Sequence, residues 1–243
     1  MVARGLVGSR SEAARLVDER MVSVSGAIAE KSSRLVSPDE PIEILKVRKY
    51  VSRGGEKLEG ALDALGVTVD ARSAIDVGSS TGGFTDCLLR RGAARVFAVD
   101  VGRNQLHERI AADPRVTWRE GVNVRDMGPG DVPFGCSLLV ADLSFISLTV
   151  VLPVLDRLVS PEQGFDTPEM VLLVKPQFEV GRQEASRGRG IITDPGLHRQ
   201  SVDKVRSCAA DLGWRERGLV ESSIKGQDGN TEFLLHLAGP LRA

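Results

Sequence analysis

The chain has 243 residues, 42% of them apolar and 27% charged, which excludes a wholly disordered polymer and suits one large domain or a large one with a small companion. Lys and Arg total 32 against 33 acids, so a uniformly basic nucleic-acid binder is excluded while a locally basic face is not. Cys87, Cys136 and Cys208 have no paired spacing for a zinc site or a disulfide framework, and no apolar run approaches the ~20 residues of a membrane span.

The first unit spans residues 1–47. Ser9 followed by Glu12 predicts a capping box, with Ala13, Leu16 and Val17 at helical spacing behind it. A short strand from Met21 to Val24 meets the turn signal Ser25-Gly26, and a second strand runs from Pro41 to Val47. Helix, hairpin and strand in so few residues make a core that is marginal alone. Residues 48–55 read as a linker. The surrounding stretch from Lys46 to Lys57 holds five basic residues and one acid, a local charge of +4 that fits a solvated linker or a nucleic-acid contact.

From residue 56 to 243 helical and strand patterns alternate. A helix over Glu56–Leu65 precedes a strand Ser73–Val77, a glycine-rich loop and a helix from Phe84. Further strands follow at Arg95–Val99, Ser137–Ala141, Met170–Val174, Arg215–Val220 and Glu232–Leu237. This succession predicts an α/β fold with an open, mostly parallel sheet flanked by helices.

The glycine loop runs Asp76-Val-Gly78-Ser79-Ser80-Thr81-Gly82-Gly83-Phe84 between a strand and a helix. Gly78 permits a tight turn and the close approach of a ligand, and Asp100, 22 residues later, ends the next strand where a carboxylate can accept both hydroxyls of a ribose. A dinucleotide fingerprint wants glycine two positions after Gly78, where Ser80 stands, and no Gly-Lys-Ser/Thr follows to make a phosphate loop. S-adenosylmethionine (AdoMet), which has no pyrophosphate, is the remaining cofactor class. Asp76 is then expected to face its charged methionine end, with Gly78, Ser79, Ser80, Thr81, Gly82, Gly83, Phe84, Asp100 and Asp142 as further cofactor-binding candidates. Asp126 is expected at the adenine amino group, or is a solvated loop acid.

Ligands of open α/β sheets bind beyond the carboxyl ends of the strands. Asp142 follows one apolar run and Lys175 another, so both emerge at that edge. Glu232 starts the last strand, which brings it to the same edge if that strand is antiparallel, and Lys57 starts a helix that runs down from it. Two lysines and two acids suit attack by a ribose 2′-hydroxyl, a poor nucleophile until its proton is removed or polarised. Lys175 is the candidate base. Lys57 would depress its pKa, and Asp142 and Glu232 would oppose that while orienting the amines. The sulfonium leaving group departs as a neutral thioether, so no metal is called for, and much of the rate gain would come from alignment.

These strings resemble the TlyA family, bacterial ribosomal RNA 2′-O-methyltransferases historically labelled hemolysins. The resemblance is carried by Ser52-Arg-Gly-Gly-Glu-Lys-Leu58, by Asp76 to Phe84, by Asp142-Leu-Ser-Phe-Ile-Ser147, by Lys175-Pro-Gln-Phe-Glu179 and by Lys225-Gly226 to Gly229-Asn-Thr-Glu232. It implies a Rossmann-like AdoMet-dependent methyltransferase with a seven-stranded sheet, a Lys57–Asp142–Lys175–Glu232 tetrad, and methylation of cytidine ribose in one or both ribosomal RNAs. It also implies that the first unit is a small α+β RNA-binding fold of the ribosomal-protein S-four type. That fold usually opens with an Arg-Leu-Asp segment upstream of Gly5, so its first helix is expected to be incomplete.

Ribosomal RNA or ribosomal subunits are the expected partners, met in the cytoplasm by a monomer without membrane or metal. Arg4, Arg10, Arg15, Arg20, Arg48, Lys49, Arg53, Arg182, Arg187 and Arg189 are the candidate phosphate contacts, which makes binding salt-dependent. Arg187-Gly-Arg-Gly190 is either a loop over the site or plain surface. Tyr50, Phe145 and Phe178 either stack a base or pack, with packing favoured for Phe145. A membrane-lytic protein is the alternative that the older label suggests, against which stands the lack of a long amphipathic cationic helix. A non-catalytic RNA-binding protein is the other, against which stands the complete tetrad.

Overall fold

The computed structural model describes residues 1–18, 20–45, 49–181, 184, 190–226 and 228–240. It divides into two compact units, Met1–Lys49 and Tyr50–Ala243.

In the first unit a short 3-10 turn, Val2–Arg4, precedes helix α1 (Arg10–Asp18). Ser9 Oγ accepts the Glu12 N–H at 3.1 Å, as a capping box requires, but the Glu12 carboxylate reaches one residue further back and takes the Gly8 N–H at 2.9 Å. Strands β1 (Val22–Val24), β2 (Ala27–Ile28) and β3 (Ile42–Ile44) form an antiparallel sheet in the order β2-β1-β3. Ser25 (φ 51°) and Gly26 (φ 81°) both take left-handed conformations, the requirement of a two-residue hairpin turn that keeps the strand twist. The core is only Val17, Val22, Val24 and Ala29 with a few partly buried neighbours. The third strand is shorter than the predicted Pro41–Val47, and Val47 lies outside the described residues.

The second unit carries α2 (Arg53–Leu65), β4 (Ser73–Val77), α3 (Gly83–Arg90), β5 (Arg95–Asp100), α4 (Glu108–Ala111) and β6 (Val116–Glu120). There follow β7 (Leu138–Ala141), α5 (Leu148–Leu158), β8 (Glu169–Val174), α6 (Pro176–Glu179), α7 (Pro195–Asp211), β9 (Arg215–Glu221) and β10 (Phe233–Ala238). The sheet order is β6-β5-β4-β7-β8-β10-β9, with β10 antiparallel to both neighbours and the other pairs parallel. This is the expected Rossmann-like, mostly parallel seven-stranded sheet.

Both faces of the central strands are covered, so their sequences are continuously apolar rather than alternating. Ile75, Val77, Leu139, Leu172 and Val174 pack toward Leu152 and Leu155 of α5 and Val205 of α7. Ala74, Leu138, Val140, Val171 and Leu173 pack toward Leu58 and Leu62 of α2 and Leu88 of α3. Helix α2 starts at Arg53, three residues before the predicted start, so the end of the expected linker is helical. Glycine is required in this first turn at Gly55, where a Cβ would collide with the Tyr50 ring. Tyr50 is buried and its hydroxyl donates to Glu59 Oε1 at 2.7 Å, so it packs.

Candidate active site

Strand β4 lies between β5 and β7, so the chain leaves it toward one side and later returns to the other. A crevice opens at such a point beyond the strand ends. Here it is a cleft of about 680 Å³ whose walls include Gly78, Ser80, Asp100, Asn123, Arg125, Asp142, Ser144 and Phe145. Gly78 has φ 84°, and a Cβ there would run into the Asp142 carbonyl oxygen. Glycine therefore lets the β4 and β7 loops touch, which shapes the cleft floor.

Asp100 stands at the end of β5 as expected. Its Oδ1 accepts the Gly102 N–H at 2.6 Å and its Oδ2 the Ser80 N–H at 2.8 Å, which leaves each oxygen a further lone pair for a ligand hydroxyl. Asp76 departs from its expected position. It is fully buried and is not one of the residues that line the cleft, whose wall there is Val77 and Gly78. Thr85 Oγ1 donates to its Oδ2 at 2.6 Å, while Oδ1 is buried with no hydrogen-bond partner. Burial pushes its pKa up to about 7, the charges of Asp142 and Asp100 add to the rise, and the Thr85 hydrogen bond opposes it.

Of the other loop residues, Ser79 is buried and Thr81 is exposed, and neither lines the cleft. Gly82, Gly83 and Phe84 do not line it either and lie close against neighbouring elements. A Cβ on Gly82 would press Leu106 and Ile110, one on Gly83 would strike Ser52 Oγ, and the Phe84 ring lies against Gly54. Asp126 is exposed and off the cleft wall, whereas Asn123 and Arg125 beside it are on it.

The four candidate catalytic residues form two ion pairs. Lys57 Nζ donates to Glu232 Oε2 at 2.5 Å, with side chains only 9% and 3% exposed. Lys175 Nζ sits 2.5 Å from Asp142 Oδ1, with side chains 10% and 25% exposed. That second contact is an ion pair without hydrogen-bond alignment, and the aligned bond from Lys175 goes to Ser144 Oγ at 2.9 Å. Phe233 pairs with Val174 in antiparallel register, so Glu232 and Lys175, one step outward on each strand, lie at the same sheet edge. The antiparallel course of β10 is what brings Glu232 there. A Cβ on Gly226 would crowd the Glu232 carboxylate at 2.6 Å, which accounts for glycine in that loop.

Two further features hold the site together. Glu179 is buried, accepts the Leu148 N–H at 2.7 Å and the Ser147 hydroxyl at 2.5 Å, and so ties the Lys175 turn to the start of α5. Phe145 is 91% exposed with φ 64°, which corrects the packing expectation for it. Its ring centroid lies 5.2 Å from that of half-buried Phe178.

The family of FtsJ-like methyltransferases matches residues 50–238. The 16S/23S rRNA (cytidine-2′-O)-methyltransferase TlyA of Mycobacterium tuberculosis is 43% identical over 239 residues, 98% of this chain and 87% of that protein. This chain belongs to the TlyA family. Hemolysin A of Brachyspira hyodysenteriae is 37% identical over 96% of this chain and 95% of its own length. A hemolysin-named structure from Streptococcus thermophilus superposes with a TM-score of 0.76 at 39% identity, covering 96% of this chain and 84% of that one. No helix among the described residues is long and apolar enough to cross a membrane.

The candidate RNA contacts of this TlyA-family chain divide by placement. Arg10, Arg15, Arg20, Lys49 and Arg53 are exposed. Arg4 is exposed too but donates to the Ser37 and Glu40 carbonyls at 2.6 Å each, so it also ties the first unit together. Arg48, Arg182, Arg187 and Arg189 lie outside the described residues, as does most of the 187–190 loop. Ser144, Asn123, Arg125 and Glu179 were not singled out from sequence, although Ser144 and Glu179 sit inside two of the strings that carry the resemblance.

Proposed function

We propose that this chain transfers a methyl group from AdoMet to the 2′-hydroxyl of a cytidine ribose in ribosomal RNA. The observation that carries this reading is the pair of buried Lys–carboxylate contacts beside a cleft that has a free-capacity ribose acceptor, Asp100. The residues present fit AdoMet. Asp76 Oδ1 is a buried carboxylate oxygen lacking a partner, which a cationic ligand end compensates, and Gly78 keeps the floor open to it. When bound, AdoMet supplies an electrophilic methyl whose leaving group departs as a neutral thioether.

The chain's own residues then do three things. Asp100 holds the cofactor ribose. Lys175, kept in place by Asp142 and Ser144, takes or polarises the proton of the incoming 2′-hydroxyl. Lys57 and Glu232, a sealed pair at the same sheet edge as Lys175, fix the wall of the site beside it. Exposed Phe145 at the cleft rim offers its face to the target base.

In this reading the first unit is an RNA-binding domain that uses Arg10, Arg15 and Arg20, and Lys49 and Arg53 add phosphate contacts, so the protein works where ribosomes are, in the cytoplasm. The alternative suggested by hemolysin-named relatives is tested by dye release from liposomes with purified protein.

The deciding experiment is methyl transfer from labelled AdoMet to small and large ribosomal subunits from cells lacking this protein, with mapping of the product. Label at a ribose 2′-oxygen that disappears in Lys175→Ala, while AdoMet binding stays within a few-fold, is the expected result. Label on a base, or transfer that survives Lys175→Ala, overturns the reading.

A further inference from the structure

The β7–α5 loop, residues 142–147, and the turn bearing Lys175 are attached at two points. At one end Lys175 Nζ meets Asp142 and donates to Ser144 Oγ. At the other, Glu179 receives the Ser147 hydroxyl and the Leu148 N–H. Between them Phe145 takes a left-handed conformation, φ 64°, which is costly for a bulky side chain and marks a backbone that its surroundings over-determine. That conformation sits between a serine bonded to the lysine amine and an aromatic ring exposed at the cleft rim.

A lysine that takes a proton presents a neutral amine, with two N–H bonds and one lone pair at fixed tetrahedral angles. Contact with Asp142 alone leaves the group free to rotate about the Lys175 Cε–Nζ bond and to swing on a flexible stem. A second partner at a different bearing removes that freedom and sets where the third position points. Ser144 lines the cleft, so with Asp142 and Ser144 both engaged the third position is the one available to a substrate oxygen. The Phe178 ring, its centroid 5.9 Å from Nζ, limits movement on another side.

We propose that Ser144 is a positioning residue of the methyl-transfer reaction: its hydroxyl, by accepting a hydrogen bond from Lys175, aims the lysine at the attacking ribose oxygen. This rests on the assignment of Lys175 as the base. Ser144 takes no proton from the substrate and forms no covalent bond. Its effect belongs to alignment in the transition state, so it is read in kcat rather than in binding.

The test compares Ser144→Ala and Ser144→Thr with the unaltered full chain on ribosomal subunits from cells lacking the protein, with AdoMet affinity measured separately by calorimetry. Ser144 is exposed, so neither variant should fail to fold, and thermal melting checks this. The expected result is a kcat lowered about tenfold in Ser144→Ala, the size of one lost neutral hydrogen bond, with KM for the subunit and Kd for AdoMet within about twofold. Ser144→Thr, which keeps the hydroxyl, should return kcat to within about twofold of the original.

An unchanged kcat in Ser144→Ala overturns the proposal. So does an equal loss in both variants, which would point to shape rather than the hydroxyl, or a parallel loss of AdoMet binding, which would make Ser144 a cofactor ligand. Lys175→Ala separates this proposal from the reading beneath it. Full activity in that variant means that the base is misassigned. A silent Lys175→Ala beside a fully active Ser144→Ala sinks the positioning role alone.

Discussion

The buried carboxylate of Asp76 makes cofactor affinity depend on pH in a way the unliganded site already defines. Its pKa is raised from the usual 3.8 to about 7 by burial, and its Oδ1 has no partner. A cationic ligand end held near it stabilises the ionised carboxylate, so binding pulls the pKa back down and releases a proton. Kd should then rise as pH falls below about 7, by up to about tenfold per unit, until the bound-state carboxylate also takes up its proton. Asp76→Asn removes that slope. The amine and carboxylate of AdoMet titrate alike in both proteins, so the difference between the two calorimetric Kd profiles over pH 5–8 isolates Asp76. The same group makes a stability prediction of opposite sign to a salt-bridged acid. The folded protein binds more protons than the unfolded one between about 3.8 and 7, so stability falls as pH rises through that window, by ~4 kcal/mol at most. Asp76→Asn should therefore be the more stable protein in urea at pH 8 and lose that advantage towards pH 4. Parallel Kd profiles for the two proteins would refute the reasoning, because the ligand would then carry no charge that Asp76 feels.

Three other outcomes follow from particular contacts. Glu232→Ala leaves the Lys57 ammonium buried without its partner and should cost ~3–5 kcal/mol in urea denaturation, far more than loss of an exposed pair. Gly83→Ala drives a Cβ into Ser52 Oγ and to within 3.0 Å of the Gly55 nitrogen, so α2 and α3 must separate. The melting temperature should drop by several degrees, with a stability loss of ~1–3 kcal/mol. Phe145→Ala removes a ring that is 91% exposed and should leave the melting temperature within about a degree, while KM for the RNA substrate rises several-fold and AdoMet affinity holds. A large fall in melting temperature for Phe145→Ala would mean that the ring packs after all.

The catalytic candidates were legible because strand ends are. Apolar runs bounded by a single polar residue, Ala141 to Asp142 and Val174 to Lys175, carry their own edge marker, whereas Glu232 reaches that edge only because the last strand is antiparallel, a direction its own residues do not reveal. Strand β6 was not read, because Val116–Glu120 is an edge strand with mostly exposed residues and only Val116 and Trp118 apolar, so its pairing with β5 comes from the sheet and not from its own pattern. Helix α5 hid behind its interior Pro153, which ordinarily argues against a helix. Gly82, Gly83 and Phe84 were read as cofactor ligands because a glycine loop looks alike whether its glycines admit a ligand or a neighbouring helix. The neighbours that reveal the second use, α2 beside Gly83 and Phe84 and Leu106 and Ile110 beside Gly82, are distant or uninformative in sequence. Phe145 was misread for a related reason. Apolar residues favour burial, and a left-handed backbone that turns one outward leaves no trace in composition.

The two lysine pairs are chemically alike, yet their surroundings separate their tasks. Two ammonium groups and two carboxylates sum to zero, so the site meets the cost of buried charge internally before any RNA arrives. Lys57 and Glu232 are 9% and 3% exposed, a sealed pair that a substrate oxygen cannot enter without breaking it. Asp142, 25% exposed, lies on the cleft wall and does not make an aligned hydrogen bond to Lys175, whose aligned bond goes to a neutral hydroxyl instead. A proton acceptor needs an open side and a partner that tolerates both of its charge states, and a serine hydroxyl, able to accept or to donate, is such a partner. A carboxylate clamped in ideal geometry would resist the loss of that proton. The two lysines are almost equally buried, 10% and 9% exposed, so it is their partners that tell the pairs apart: Asp142 and Ser144 on the cleft wall for Lys175, sealed Glu232 for Lys57.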